Sequence, residues 1–390
     1  MITQARTLIT LLSLTAFLAS SFAVSAPQEA NWADSVVETE SEGTSILIIP
    51  MDGQMHTDIR ADLYKGLTER IKEANPDLII VELYSRDRKN NFAYLMGYGD
   101  PNEFNPFNDN DLVDIAKVFQ IQLKDIPQVL WVKDSSGAST VLSFSWPIMY
   151  MSEGAFLRAT TQVADFNNID AEDTRGKIRE FRTIHSKIVA EYGDRSHALV
   201  RAFVDPDVPL SGTWKGQKVV WEENTLGDFK VDQGEDDMPQ LTAITATELD
   251  ISKGIVASIQ DVLLAQGIRG DYHIVGKDIT AEIIKNKEDW RKKLERAHEL
   301  WNDALQFEEW AGSADARKNR MNELRSLKQL LNILEKSTPV EVRMRRPFRP
   351  GVTIPYLKQR IKGVEQLLED MKGGGGRGGG RGGGGGGGRG

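Results

Sequence analysis

The chain has 390 residues, 40% of them apolar, enough to bury one large core or two smaller ones. A formal charge of −9 argues against a nucleic-acid-binding body and gives no pull toward anionic membranes. With no cysteine, disulfides, thiolate metal sites, a cysteine nucleophile and a lipoprotein anchor are all excluded.

At the start, Arg6 precedes the uncharged run Thr7 to Ala19, and Ser20 to Ala26 offers small residues for cleavage after Ala23 or Ala26. Residues 1–26 read as a signal peptide for export to a periplasm or the exterior. The alternative, an uncleaved membrane anchor, has an apolar stretch of only about 13 residues where roughly 20 are needed. Residues 27–43 read as a polar, acidic leader.

Ile46 to Met51 is a continuous apolar run, as a parallel strand covered on both faces requires, and Asp52-Gly53 ends it. Ile59, Leu63, Leu67 and Ile71 then fall at helical spacing, Pro76 stops that helix, and Leu78 to Leu83 begins a second buried strand. Strand, helix and strand make a βαβ unit. Residues 100–114 are rich in Asn and Asp but lack the tight-turn glycine and spacing of a calcium loop, so they read as a solvated loop capping a helix from Leu112 to Phe119, with no metal.

Val129 to Val132 forms a third apolar run that meets a knot of small residues, Asp134 to Ser139. A short buried helix follows over Val141 to Trp146, then a strand over Ile148 to Met151. A serine on such a turn can present its hydroxyl beside the free N–H groups of the next helix, so nucleophile and oxyanion donors can share one corner. A polar loop over 159–173 leads to a helix from Thr174 to Tyr192, whose face carries Ile178, Phe181, Ile188, Tyr192 and His185, the histidine reading as a packing residue.

Lys218 to Trp221 starts a β stretch. Between Gln240 and Gly267, Thr245 or Thr247 can cap a helix that Gly254 ends, and Gly267 ends the next.

Several of these stretches resemble the ClpP/crotonase-fold proteases, above all the exported and membrane-bound ClpP-class branch associated with NfeD. The resemblance is carried by Ser135-Ser136-Gly137-Ala138 with Ser152-Glu153-Gly154, by Glu191 to Asp207, and by Gln240 to Gly267, and it spans about 44 to 276. It implies an α/β, ClpP/crotonase-like ββα spiral core. It also implies peptide-bond hydrolysis by a Ser-Lys dyad, with Ser136 as nucleophile and Lys177, 41 residues further on, as a base that must be desolvated to act.

No histidine lies between His56 and His185, which sets aside a ClpP-type Ser-His-Asp triad. The second strand runs into Tyr84 to Asn91 without the glycine pair that such folds use for oxyanion donors, and Gly97-Tyr98-Gly99 stands further along. The alternative is therefore a pseudoenzyme acting as a binding or assembly scaffold, with Gly137 at the corner and Lys177 facing solvent. The expected partners are a peptide or protein substrate, other copies of the chain and a membrane-associated partner; no cofactor is expected.

The domain boundaries expected are 44–277 for the core, 278–372 for a charged, coiled-coil-like helical module, and 373–390 for a Gly/Arg-rich tail. In the module, Trp290 to Phe307 and Met321 to Leu334 supply two apolar seams around Ala311 to Asp315, as in an antiparallel hairpin. A basic, proline-punctuated connector with Arg343, Arg345, Arg346 and Arg349 leads to a last amphipathic helix, Tyr356 to Met371. The tail's arginines, Arg377, Arg381 and Arg389, read as part of a disordered end rather than an RNA-binding segment, and no nucleic-acid partner is expected.

Overall fold

The computed structural model describes residues 43–85, 110–159, 172–205, 208–232, 239–312, 315–344 and 352–373. The expected signal peptide, most of the leader and the Gly/Arg tail lie outside these residues. So do Gly97 to Gly99, most of the Asn/Asp loop, and the connector arginines other than Arg343.

β1 (Thr44–Asp52) opens the core, followed by α1 (Ala61–Ala74) and β2 (Leu78–Tyr84). Next come α2 (Asn110–Lys117), which runs on into a π turn over 118–122, and β3 (Gln128–Ser136). α3 (Ala138–Ser143), β4 (Met149–Met151) and β5 (Phe156–Arg158) follow, then α4 (Glu172–Tyr192) and α5 (His197–Ala202). β6 (Leu210–Lys215), β7 (Lys218–Glu222) and β8 (Phe229–Asp232) form a small antiparallel sheet in the order β7-β6-β8. β9 (Gln240–Thr242), α6 (Ala243–Glu248), α7 (Ile259–Ala265) and β10 (Tyr272–Ile274) complete the core.

The main sheet runs β10-β1-β2-β3-β5-β9, parallel except for the β5–β9 pair, and β4 attaches separately to β3. β3 is the branch point: Leu130 to Val132 pair with β4, and Ser135 and Ser136 pair with β5. Both faces of β1 and β2 are covered. Leu47, Ile49, Ile79 and Val81 join the larger core cluster, while Ile46, Ile48, Leu78 and Ile80 join a second one with Trp131 and Tyr150. Double coverage explains the unbroken apolar runs, since neither face of such a strand can be polar.

Beyond the core, α8 (Lys277–Glu309) and α9 (Ala316–Lys336) pack as a hairpin, joined by α10 (Thr338–Met344) and α11 (Ile354–Gly373) around Trp290, Trp301, Leu327, Leu330 and Leu357. Glu323, fully buried there, is held by Arg320 and Arg360. Among the described residues no helix is long and apolar enough to cross a membrane.

Two local expectations change. β3 continues through Asp134 to Ser136, because the Asp134 carboxylate accepts the Phe156 N–H and fastens β5 alongside, so the turn falls at Gly137. Thr242, rather than Thr245 or Thr247, caps α6 by accepting the Thr245 N–H; the helix ends at Glu248, well before Gly254.

Candidate functional site at the end of strand β3

Gly137 makes the turn from β3 into α3 with φ 66° and ψ −128°, a conformation that only a residue without a side chain takes at little cost. Its N–H donates to the Arg158 carbonyl at 2.8 Å, and its carbonyl accepts from the Val141 N–H at 3.1 Å. The corner is thereby tied to β5 on one side and to α3 on the other.

The hydroxyls around it are engaged. Ser135, fully buried, shares a 2.9 Å hydrogen bond with Thr140 and lies 3.3 Å from the Phe156 carbonyl. Ser139 accepts from the Ser136 N–H at 3.2 Å and donates to the Ser136 carbonyl at 2.9 Å. Ser136, only 5% exposed, donates its own hydroxyl to the Ser85 carbonyl at 3.5 Å. That acceptor cannot take a proton, so it cannot activate the hydroxyl as a nucleophile.

Lys177 is exposed in the first turns of α4. Among the described residues the Ser136 hydroxyl donates to Ser85, and no hydrogen bond joins it to Lys177. Phe181 and His185 of the same helix stack edge to face at 4.0 Å, as the packing role expected of that histidine requires.

The charges near the corner sit elsewhere. Asp134 accepts from the Ser135 and Phe156 N–H groups, both at 3.1 Å, and pairs with Arg158 at 2.6 Å. Glu82, on β2, reaches Lys133 at 2.8 Å with one oxygen, while the other oxygen is buried without a partner. Burial pushes its carboxyl above the usual range, with Lys133 pulling the other way. Glu82 and Lys133 were legible only as charges interrupting apolar strands.

The ledge beside the corner is joined to the helical module. Ser85 donates its N–H to the Asp134 carbonyl at 3.0 Å, and Gly53 donates to the Tyr84 carbonyl at 2.9 Å. Five residues further on, Asp58 accepts from the Gln54 N–H at 2.9 Å, the Trp290 indole at 3.1 Å and the Arg291 guanidinium at 3.2 Å. Arg343 bonds to the Gln54 side chain, and Arg60 to Asn286 at 2.8 Å. His56 stands in this loop at φ 66°, with Nδ1 3.2 Å from Asp111, which also caps α1 through the Ala61 N–H at 2.7 Å.

The branching, mostly parallel sheet, the corner and the appended helices define a mixed α/β core with a helical module. No protein-family model matches the chain. No curated protein matches it in sequence. Among solved structures it is similar to a lysine-to-alanine mutant of a membrane-bound stomatin-specific protease in complex with a substrate peptide, at 13% identity and a TM-score of 0.37, over 62% of this chain and 99% of that one. It is similar too to a membrane protease specific for a stomatin homolog from Pyrococcus horikoshii, at 12% identity and a TM-score of 0.35, over 59% and 90% of the two chains. A peptidase from Plasmodium falciparum is similar at 11% identity and a TM-score of 0.31, over 54% and 96%.

Proposed function

We propose that this chain is an exported ClpP-class protease-like protein that binds polypeptide at the β3–α3 corner without cleaving it, serving as a scaffold. The supporting observation is the Ser136 hydroxyl, which donates to a backbone carbonyl instead of to a base. Gly137 holds the conformation at which the chain turns outward, and it has no side chain with which to attack. Peptide or protein as the ligand class, and export through residues 1–26, rest on the sequence.

The second reading is hydrolysis by the Ser136–Lys177 dyad, and one observation favours it. At 3.5 Å the bond from Ser136 to Ser85 is at the long limit, so the hydroxyl gives up little by rotating away. Lys177 would then take the proton as Ser136 Oγ bonds to the peptide carbonyl carbon. The C–N bond would break as that proton passes to the leaving amine, and water would cleave the ester.

Labelling of the full chain with a fluorophosphonate separates the two. The scaffold predicts no label on protein whose fold is verified by circular dichroism. Labelling that both Ser136→Ala and Lys177→Ala abolish would overturn it in favour of the dyad.

A further inference from the structure

The small antiparallel sheet ends at an edge with which no described strand pairs. β7 pairs only with β6, through Lys215–Lys218, Trp214–Val219, Thr213–Val220, Gly212–Trp221 and Ser211–Glu222. A two-residue turn, with Gly216 at φ 69°, closes this hairpin. In such a hairpin the pair flanking the turn exchanges its hydrogen bonds, and so does every second pair after it. Lys218, Val220 and Glu222 therefore face β6 with their backbone groups, and Val219 and Trp221 turn theirs to the outer edge.

An open edge is usually blunted by shortness, charged side chains, a proline or a bulge; β7 is short and its two charges, Lys218 and Glu222, stand at its ends. β7, Lys-Val-Val-Trp-Glu, has no proline, and its pairing with β6 has no register shift. Its side chains are also patterned. Val219 and Trp221 pack against the core cluster, whereas Lys218 and Glu222, at the two ends, are exposed.

We propose that β7 pairs antiparallel with β7 of a second copy of this chain, about a two-fold axis through Val220, joining the two small sheets into one. In that register Val219 of one copy lies opposite Trp221 of the other, and the two residues exchange backbone hydrogen bonds. Lys218 of each copy then lies opposite Glu222 of the other, so the strand is complementary in charge to itself. Glu222 already accepts from the Asn224 amide at 3.0 Å, which orients its carboxylate without neutralising it. The parallel alternative would set Lys218 against Lys218 and Glu222 against Glu222, and like charges directly opposite are unfavourable.

The test is sedimentation equilibrium of the full chain, with exposed positions substituted so that the fold is left intact, as thermal unfolding would verify. Lys218→Glu and Glu222→Lys should each weaken self-association by about tenfold, because each sets like charges opposite one another twice per dimer. An equimolar mixture of the two variants should associate as tightly as the parent, since every cross-strand pair is again opposite in sign. Val219→Pro, which removes an edge N–H while sparing the bonds to β6, should leave a monomer. A parent that stays monomeric up to hundreds of micromolar overturns the proposal. Dimers indifferent to the charge changes overturn it too, as does a mixture that fails to recover.

Discussion

The corner at Gly137 and the clasp at Asp58 are both buried polar knots at the ends of strands, yet they are built from opposite materials. The corner is built mainly of hydroxyls: Ser135, Ser136, Ser139 and Thr140 hydrogen-bond with one another and with backbone groups, beside a single Asp134–Arg158 pair that ties β3 to β5. The clasp is ionic: one almost fully buried carboxylate collects a backbone N–H, an indole and a guanidinium from two parts of the fold. Acyl transfer needs a hydroxyl and a proton acceptor in one place. Here the hydroxyls are gathered at the corner, where the Asp134 carboxylate is taken up by two backbone N–H groups and Arg158, and Asp58 ties the helical module to the core.

The contrast can be broken first at the clasp. Asp58→Ala leaves the Trp290 indole and the Gln54 N–H buried without an acceptor and deprives Arg291 of its partner. A loss of about 3 kcal/mol is expected, the scale of removing one member of a buried ionic set. Urea unfolding followed by tryptophan fluorescence reads it. A change below about 0.5 kcal/mol, the scale of an ordinary surface substitution, would show that Asp58 does not fasten the module to the core.

At the corner the expected effect is smaller. Ser139→Ala strands the Ser136 N–H and carbonyl, both neutral groups, so about 1 kcal/mol should be lost. The same unfolding measurement applies. A loss as large as that of Asp58→Ala would mean that removing Ser139 also disturbs the Asp134–Arg158 pair beside the corner.

How much of this could be read from the sequence follows from the range of the interactions. β1, β2 and the helical hairpin were legible because their patterns are local: buried runs for strands covered on both faces, and apolar seams at helical spacing for α8 and α9. The resemblance around Ser136 gave the corner's place within the chain. It left the register open between Ser136 and Gly137, and the turn falls at Gly137 because Asp134 fastens β5 beside β3 through Ser136, a contact across 22 residues. The clasp was beyond reach altogether, since Asp58 meets Trp290 and Arg291 more than two hundred residues away. Thr242, Thr245 and Thr247 are equivalent as caps until the strand before them is fixed, and β9 (Gln240–Thr242) selects Thr242.

Glu82 gives the finest test of the same contrast, since it is a buried carboxylate belonging to neither knot. Burial raises its pKa above the unfolded value, with Lys133 opposing the shift. The folded chain therefore binds the Glu82 proton more tightly than the unfolded chain does. Stability from this group is fully present below the unfolded carboxylate pKa, about 4.3, and falls as pH rises through the raised folded value. Glu82→Gln keeps the shape and removes the titration, so its stability relative to the parent should improve steadily as pH rises across that window. The attraction of Lys133 acts only when Glu82 is ionised, and it is already contained in the direction of that shift. Denaturation curves of the two proteins from pH 4 upward measure the difference. A relative stability that instead worsens with pH would mean that the Lys133 pair outweighs burial and holds the carboxyl of Glu82 below its ordinary value.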